Sequence, residues 1–306
     1  MKTPLLDNPF INQIVQLALL EDTCPVLHTC DCGEEDCEDE NHGVLRDATS
    51  EALVPEETLA EGQIFSREPC TVAGVELAKE ILGQLACLKV KVHKKDGAKV
   101  QPGQAILTFK GSARAILMFE RTVLNFMQRL TATATLTAKF TEAVKPYGTM
   151  ILDTRKTTPG MRHLDKYAVR CGGGTNHRMG LYDRILMKDN HRALWKGGDG
   201  KKLDQAVRAA RKAFPDLAVE VEVESLAECK SALKAKPEWI MLDNMSCEDM
   251  AKCVKLCKGI SLTEASGGIT LERAKEVAAT GVDAISLGCL THSAGSVDLT
   301  LEWKAL

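Results

Sequence analysis

The 306-residue chain is 44% apolar, 26% charged and 4% aromatic, with a formal net charge of −3. That balance suits a soluble α/β protein with ample core. It excludes the domain-wide basic footprint and regular aromatic interleaving of a nucleic-acid binder. No apolar run reaches the roughly 18 residues that a bilayer span requires. The N-terminal text lacks the charged start, apolar core and small-residue cleavage site of a secretory leader, so the expected setting is cytoplasmic.

In chain order, the first periodic segment reads as an amphipathic helix from about Pro9 to Glu21. The stretch TCPVLHTCDCGEEDCEDENHGVLR follows, with Cys24, His28, Cys30, Cys32, Cys37 and His42. Four thiols and two imidazoles so close together could bind Zn²⁺. Their CxC spacing is not that of a ribbon or finger, and an acidic solvated loop is the alternative. The other eight cysteines sit in apolar or helical contexts and read as reduced thiols.

From Gly62 to Gly111 the text is strand-like and turn-rich. LKVKVH and AILTF alternate in polarity, with DG and PG turns between them, which predicts short antiparallel strands. A long amphipathic helix, ARAILMFERTVLNFMQRLTATATLTAKFTEAVK, comes next. Beyond Gly148 short apolar strands recur at 150–153, 184–188, 217–223, 239–243, 260–265 and 284–288. Helical stretches such as DQAVRAARKAF, CEDMAKCVKLC and TLERAKEVAAT separate the later ones. Regular βα alternation predicts a parallel sheet with helices outside. Periodicity alone leaves open-sheet and barrel forms equally available.

The charge is unevenly spread. Residues 153–192 hold nine Arg or Lys and four Asp, a local charge of +5 on an acidic chain. In a parallel barrel the carboxyl ends of the strands face the active site. Charged or phosphate-compatible residues stand at those ends, among them Asp153, Arg155, Lys156, Lys188, Asp189, Glu222, Asp243, Glu264, Ser266 and Gly288. Solvated charges would instead be spread over helix faces. Arg155, Lys156, His177, Arg178 and Lys188 therefore read as a cation pocket for more than one carboxylate or phosphate. Arg162, Lys166, Arg170, Arg184 and Arg192 read as structural or solvated.

Glu222 and Asp243 end successive strands, and two such carboxylates beside a cation pocket can hold Mg²⁺ and sugar hydroxyls. A salt-bridge pair is the alternative. Glu220 and Glu224 alternate with Glu222 on one face of VEVEVE, so strand geometry does not single out Glu222. EASGGIT, running into a helix, and SLGCLTHS, at the last strand end, offer backbone amides for phosphate. The combination implies group transfer involving a phosphorylated sugar.

The ordered set DTRKTTPG, GGGTNHR, MKDNH, EVEVES, LDN, EASGGI and ISLGCLTHSA resembles the quinolinate phosphoribosyltransferase family from about Asp47 to Ser293. FERTVLN and the VHKKDGAKVQPGQAILTFKG hairpin resemble its N-terminal region. The resemblance implies an open-faced α/β sandwich over residues 1–127, with residues 291–306 packing back on it. It implies an incomplete TIM-like α/β barrel over residues 128–290, and a homodimer or a multiple of dimers. The implied reaction joins quinolinate to phosphoribosyl pyrophosphate with loss of CO₂, giving nicotinate mononucleotide for NAD biosynthesis.

By position, Arg155, His177, Arg178 and Lys188 would line the quinolinate pocket, and Arg121 would reach the neighbouring subunit's site. Lys156 would lie between the two substrates. Glu222 and Asp243 would hold ribose and Mg²⁺, with Ser266, Gly267, Gly268 and Gly288 on the phosphate. Alignment through Ser225 and Leu226 is what selects Glu222 among the three glutamates. The Cys-rich segment at 24–42 is an insert relative to the family pattern. A paralogous phosphoribosyltransferase and a metal- or anion-sensing protein are the rival readings.

Overall fold

Residues 4–23, 46–195 and 202–306 are described in the computed structural model of this chain. The Zn²⁺ donors expected at Cys24, His28, Cys30, Cys32, Cys37 and His42 lie outside the described residues. The chain forms two compact units, Met1–Thr135 with Pro159–Cys171 and Gly295–Leu306, and Leu136–Thr158 with Gly172–Ala294.

The first unit holds β1 (Leu59–Ser66), β2 (Cys70–Thr71), β3 (Lys89–Val92), β4 (Lys99–Val100) and β5 (Ala105–Ser112). β1 pairs antiparallel with β5, with Glu61 opposite Lys110, and the two side chains form an ion pair. Gly62 is required by packing: a Cβ there would lie 2.4 Å from Phe109 Cε2, and Phe109 is one of the largest fully buried side chains. The helix Pro9–Thr23 buries Ile11, Val15 and Leu19, one stripe at four-residue spacing.

One stretch departs from expectation. Within the strand-like text, Val75–Glu80 is helical. Gly74 starts it in the left-handed region at φ +89 and offers no side-chain cap. The carboxylate of Asp96 accepts instead from the amides of Val75 and Glu76 at 2.9 and 3.1 Å. Capping oxygens for this helix come from a distant loop, so local text could not announce its start.

The second unit is built on six parallel strands, β6 (Met150–Leu152), β7 (Ile185–Met187), β8 (Val219–Val223), β9 (Trp239–Asp243), β10 (Leu262–Ser266) and β11 (Ala284–Ser286). Their order is β6-β11-β10-β9-β8-β7. That is sequence order wrapped around a ring and opened between β6 and β7, as in an incomplete barrel. An isolated parallel bridge sets Thr175 beside Leu152 on the free side of β6. Every residue of β8 is buried, as a strand covered on both faces should be. Ser225, Ser246 and Thr270 cap the helices Leu226–Leu233, Cys247–Cys257 and Leu271–Ala279, each accepting an amide three residues on. All six strands point the same way, so their carboxyl ends share one rim.

β12 (Leu299–Ala305) returns to the first unit and pairs antiparallel with β1. The units divide at 135/136 rather than at the expected 127/128, and the returning segment starts at Gly295 rather than at 291. The division falls inside the continuous helix Ala113–Val144, which has no Gly or Pro to mark it. Residues 159–171 also belong to the first unit, an excursion that βα rhythm does not reveal.

No described helix is long and apolar enough to cross a membrane. Among the described residues, Cys70, Cys229, Cys253 and Cys257 are buried thiols and Cys87 is an exposed one.

Candidate active site

At the carboxyl rim of the six-stranded sheet lies a cavity of about 900 Å³. Its lining includes Arg155, Lys156, His177, Arg178, Lys188, Glu222, Asp243, Ser266, Gly267, Gly268 and Gly288. Eleven of the twelve positions read from the sequence thus share one wall. The exception is Arg121, which is exposed on the helix Ala113–Val144 and is not among these lining residues. Thr154, Asn244 and His292 also line the cavity and were not among the sequence-derived site residues, and Glu264, read from the sequence only as a strand-end residue without a role, lines it too.

The basic window divides. The helix Arg162–Cys171, with Arg162, Lys166 and Arg170, belongs to the first unit, whereas the cavity cations belong to the second. Lys166 is fully buried there. Burial and the neighbouring Arg155 lower the pKa of Arg178 from its ordinary value. Close cations that repel each other suit an anionic ligand, which relieves the repulsion on binding. Arg155 Nε is buried and makes no hydrogen bond among the described residues. Arg178 is tied to the wall by a 3.1 Å bond from Nη1 to the carbonyl of Arg184.

Asp153, completely buried at the end of β6, orients the next loop: its carboxylate accepts from the His177 amide at 2.9 Å and from the Asn176 side chain. His177 in turn is held from beneath. Its Nε2 lies 3.1 Å from Glu220 and 3.3 Å from Glu264, both fully buried. Its Nδ1 accepts the Arg178 amide at 2.7 Å. His177 therefore lines the cavity with both ring nitrogens engaged by protein, a support for Arg178 more than a free donor.

Burial resists a charged ring and the two carboxylates favour one, a balance that lifts His177 to about 9. A second ring proton would point at the Arg178 amide, however. The contact at Nδ1 needs a lone pair, so the proton shared by this cluster sits between Nε2 and the glutamates. Burial and the adjacent Glu220 raise Glu264 to about 7. Burial opposes ionisation of Glu220 as well, yet His177 and Arg184 keep its pKa below the usual value. The three ligand atoms are close enough to surround a cation. His177 Nε2 at ion-pair distance from both carboxylates, and Arg184 Nη1 at 3.2 Å from Glu220, already supply positive charge beside the two glutamates.

The three glutamates left equivalent by strand alternation are now distinct. Glu220 is in the buried cluster. Glu222 lines the cavity and meets Lys188 Nζ at 3.1 Å. Glu224 lies beyond the end of β8 and is exposed. Asp243 ends β9 and pairs in register with Ser266 at the end of β10. Gly267 and Gly268 follow at φ +96 and +56, backbone that L side chains rarely adopt. Gly288 closes the far side, where a Cβ would come within 3.0 Å of both Lys156 Cδ and His292 Nε2.

Comparison with known proteins agrees with this architecture. The family model for the N-terminal domain of quinolinate phosphoribosyl transferase matches residues 47–131, and that for the C-terminal domain matches residues 133–302. The chain is 42% identical over 271 residues to a nicotinate-nucleotide pyrophosphorylase [carboxylating] of Mycobacterium leprae, covering 87% of this chain and 93% of that protein. It is 39% identical over 279 residues to a mitochondrial quinolinate phosphoribosyltransferase [decarboxylating] of Nicotiana tabacum, covering 86% of this chain and 79% of the relative. The solved nicotinate-nucleotide pyrophosphorylase of Francisella tularensis superposes with a TM-score of 0.84 at 36% identity, over 99% of this chain and 98% of its own. NadC from Streptococcus pyogenes superposes with a TM-score of 0.86 at 34% identity, over 100% and 99%. The chain belongs to the quinolinate phosphoribosyltransferase family.

Proposed function

We infer that this chain is a carboxylating nicotinate-nucleotide pyrophosphorylase: it joins quinolinate to phosphoribosyl pyrophosphate and releases pyrophosphate and CO₂, forming nicotinate mononucleotide for NAD biosynthesis. The observation that carries the reading is the meeting of Arg155, Arg178 and Lys188 with Glu222, Asp243 and the Ser266–Gly268 turn in one cavity, within a chain of this family.

Each part of the cavity has a task in that reaction. Arg155 and Arg178 orient the two carboxylates of quinolinate, placing the ring nitrogen toward the anomeric carbon. Glu222 and Asp243 face the positive charge that develops on the ribose as pyrophosphate departs. Lys156 stands between the two substrates. Lys188, already paired with Glu222, is placed to exchange that partner for a substrate carboxylate. Once the nitrogen is bonded to ribose, the cationic ring accepts the electron pair of the adjacent C–CO₂ bond. CO₂ leaves and a proton takes its place on that carbon. Cations that held the departing carboxylate too tightly would slow this step, because only interactions stronger in the transition state raise the rate.

The oxygen donors of Glu222 and Asp243 are hard ligands open to the cavity and fit Mg²⁺ shared with the substrate's phosphates. When bound, the ion would neutralise charge on the leaving pyrophosphate. The amides of the left-handed Gly267–Gly268 turn, with a helix N-terminus behind them, suit the sugar phosphate. Arg121, exposed on its helix, fits the role of a side chain donated to a second copy's cavity in a homodimer.

The test is direct. Purified protein is incubated with phosphoribosyl pyrophosphate and Mg²⁺, and pyrophosphate and CO₂ are followed with quinolinate or nicotinate as acceptor. Turnover with quinolinate and little with nicotinate is expected. Turnover with nicotinate alone would overturn the reading.

A further inference from the structure

We propose that Asn244 is a positioning residue of this site, setting the separation between the Asp243 carboxylate and the Ser266–Gly267–Gly268 turn, and with it the span between the ribose and phosphate ends of the bound sugar phosphate. The inference rests on the assignment of those two elements to phosphoribosyl pyrophosphate.

Four observations meet at this one side chain. Asn244 is one of three non-glycine residues described with positive φ, at +52. Asn tolerates that conformation better than most residues, but it remains uncommon and has to be held by its surroundings. The Asn244 amide donates to the carbonyl of Ser266 at 3.0 Å, extending the β9–β10 ladder one residue past the strand end. The side-chain Nδ2 donates to Asp243 Oδ2 at 2.7 Å, and Asp243 itself lines the cavity. Finally, a Cβ on Gly267 would lie 2.1 Å from Asn244 Oδ1 and 2.5 Å from its Cγ. The amide group thus fills the space that a side chain at 267 would occupy.

The consequence is a mechanical link across two strand ends. Asp243 cannot turn without losing its amide partner, and the glycine turn cannot close toward Asp243 because Asn244 stands between them. Strand β9 supplies the carboxylate and strand β10 the phosphate turn; Asn244 sets the distance between them. A flexible rim would bind each end of the sugar phosphate separately and pay in orientation, whereas a fixed span presents the anomeric carbon in one pose. The arrangement also assigns a reason to glycine at 267 beyond its φ of +96: residues 244 and 267 are complementary in volume.

The experiment is a double-mutant cycle on the full-length protein with separate KM and kcat measurements for both substrates. Asn244→Gly keeps the left-handed backbone and removes the amide. It is expected to lower kcat/KM for phosphoribosyl pyrophosphate by about tenfold to a hundredfold, leaving KM for quinolinate unchanged. Asn244→Asp keeps the volume but turns the donor toward Asp243 into an acceptor, and should lose at least as much. Gly267→Ala should be less damaging in the Asn244→Gly background than alone, because the clash is gone although the backbone strain remains.

Wild-type kinetics in Asn244→Gly, an equal rise of both KM values, or additive effects of Asn244→Gly and Gly267→Ala would each overturn the proposal. Asp243→Asn is run alongside to separate it from the underlying assignment. If that variant leaves the kinetics of phosphoribosyl pyrophosphate unchanged, the placement of the sugar is wrong. If it impairs them and Asn244→Gly does not, only the positioning role fails.

Discussion

Glu220 and Glu222 stand two residues apart on one face of β8, yet they belong to different parts of the machine. Glu220 is sealed beneath the cavity against His177 and Arg184, with no route to a ligand. Glu222 is at the cavity wall and pairs with the half-exposed Lys188. Glu264 on β10 is also fully buried, although it contributes to the cavity lining, whereas Asp243 stands at the rim end of β9. What separates structural from chemical carboxylates here is depth along the strand, about 7 Å for two residues. The buried layer neutralises charge internally and braces the loop that carries Arg178. The rim layer leaves charge available to substrates.

The contrast predicts a dissociation of effects. Glu220→Ala strips a buried carboxylate from His177 and Arg184, and breaking such a pair costs about 3–5 kcal/mol. A large drop in thermal midpoint is expected, measured by calorimetry or circular dichroism; a midpoint near wild type would place Glu220 outside the structural layer. At the rim the loss appears in turnover instead. Arg155→Ala leaves a substrate carboxylate without its partner, at about 2–5 kcal/mol in kcat/KM for quinolinate. The thermal midpoint should move little. Activity close to wild type in the nicotinate mononucleotide assay would remove Arg155 from the dicarboxylate pocket.

A smaller effect concerns pH. Glu264 is raised from 4.5 to about 7 by burial and by Glu220. Between those values the folded state binds more protons than the unfolded chain does, so stability falls as pH rises from about 4.5 to 7 and this contribution is gone above 7. Glu264→Gln, which stays neutral throughout, should flatten that part of the profile. Thermal midpoints collected from pH 5 to pH 8 test it; an unchanged slope in the variant would locate the shared proton elsewhere. The smallest effect is expected at Glu224, the third glutamate of the same alternating run. It is exposed beyond the strand, and Glu224→Gln should alter stability by no more than about 0.5 kcal/mol. Turnover should be unaffected. A strong loss of activity there would mean that the rim extends further along the chain than the cavity does.

Much of this arrangement was legible in the residues. The strand read at 239–243 is Trp239–Asp243, and the one read at 217–223 is Val219–Val223. Periodicity works well where strands are short and buried and each is followed by a capped helix. It worked less well at Val75–Glu80, where the cap comes from Asp96, and at Pro159–Cys171, which joins the first unit although it follows β6 directly. Neither event leaves a local trace, because each depends on residues far away in the chain.

By itself the sequence determined the βα order, the gathering of cations and carboxylates at strand ends, and the family motifs that name the chemistry. These follow from short-range rules: polarity period, turn residues and the positions at which parallel strands must end. Only the tertiary structure decided that Glu220 is buried beneath Glu222 on the same strand, that His177 is braced by Glu220 and Glu264 from two strands, and that Asn244 meets Gly267 across a strand boundary. Those choices depend on which strands become neighbours and how deep each side chain sits, and burial, unlike alternation, is a property of the assembled sheet and not of any stretch of chain.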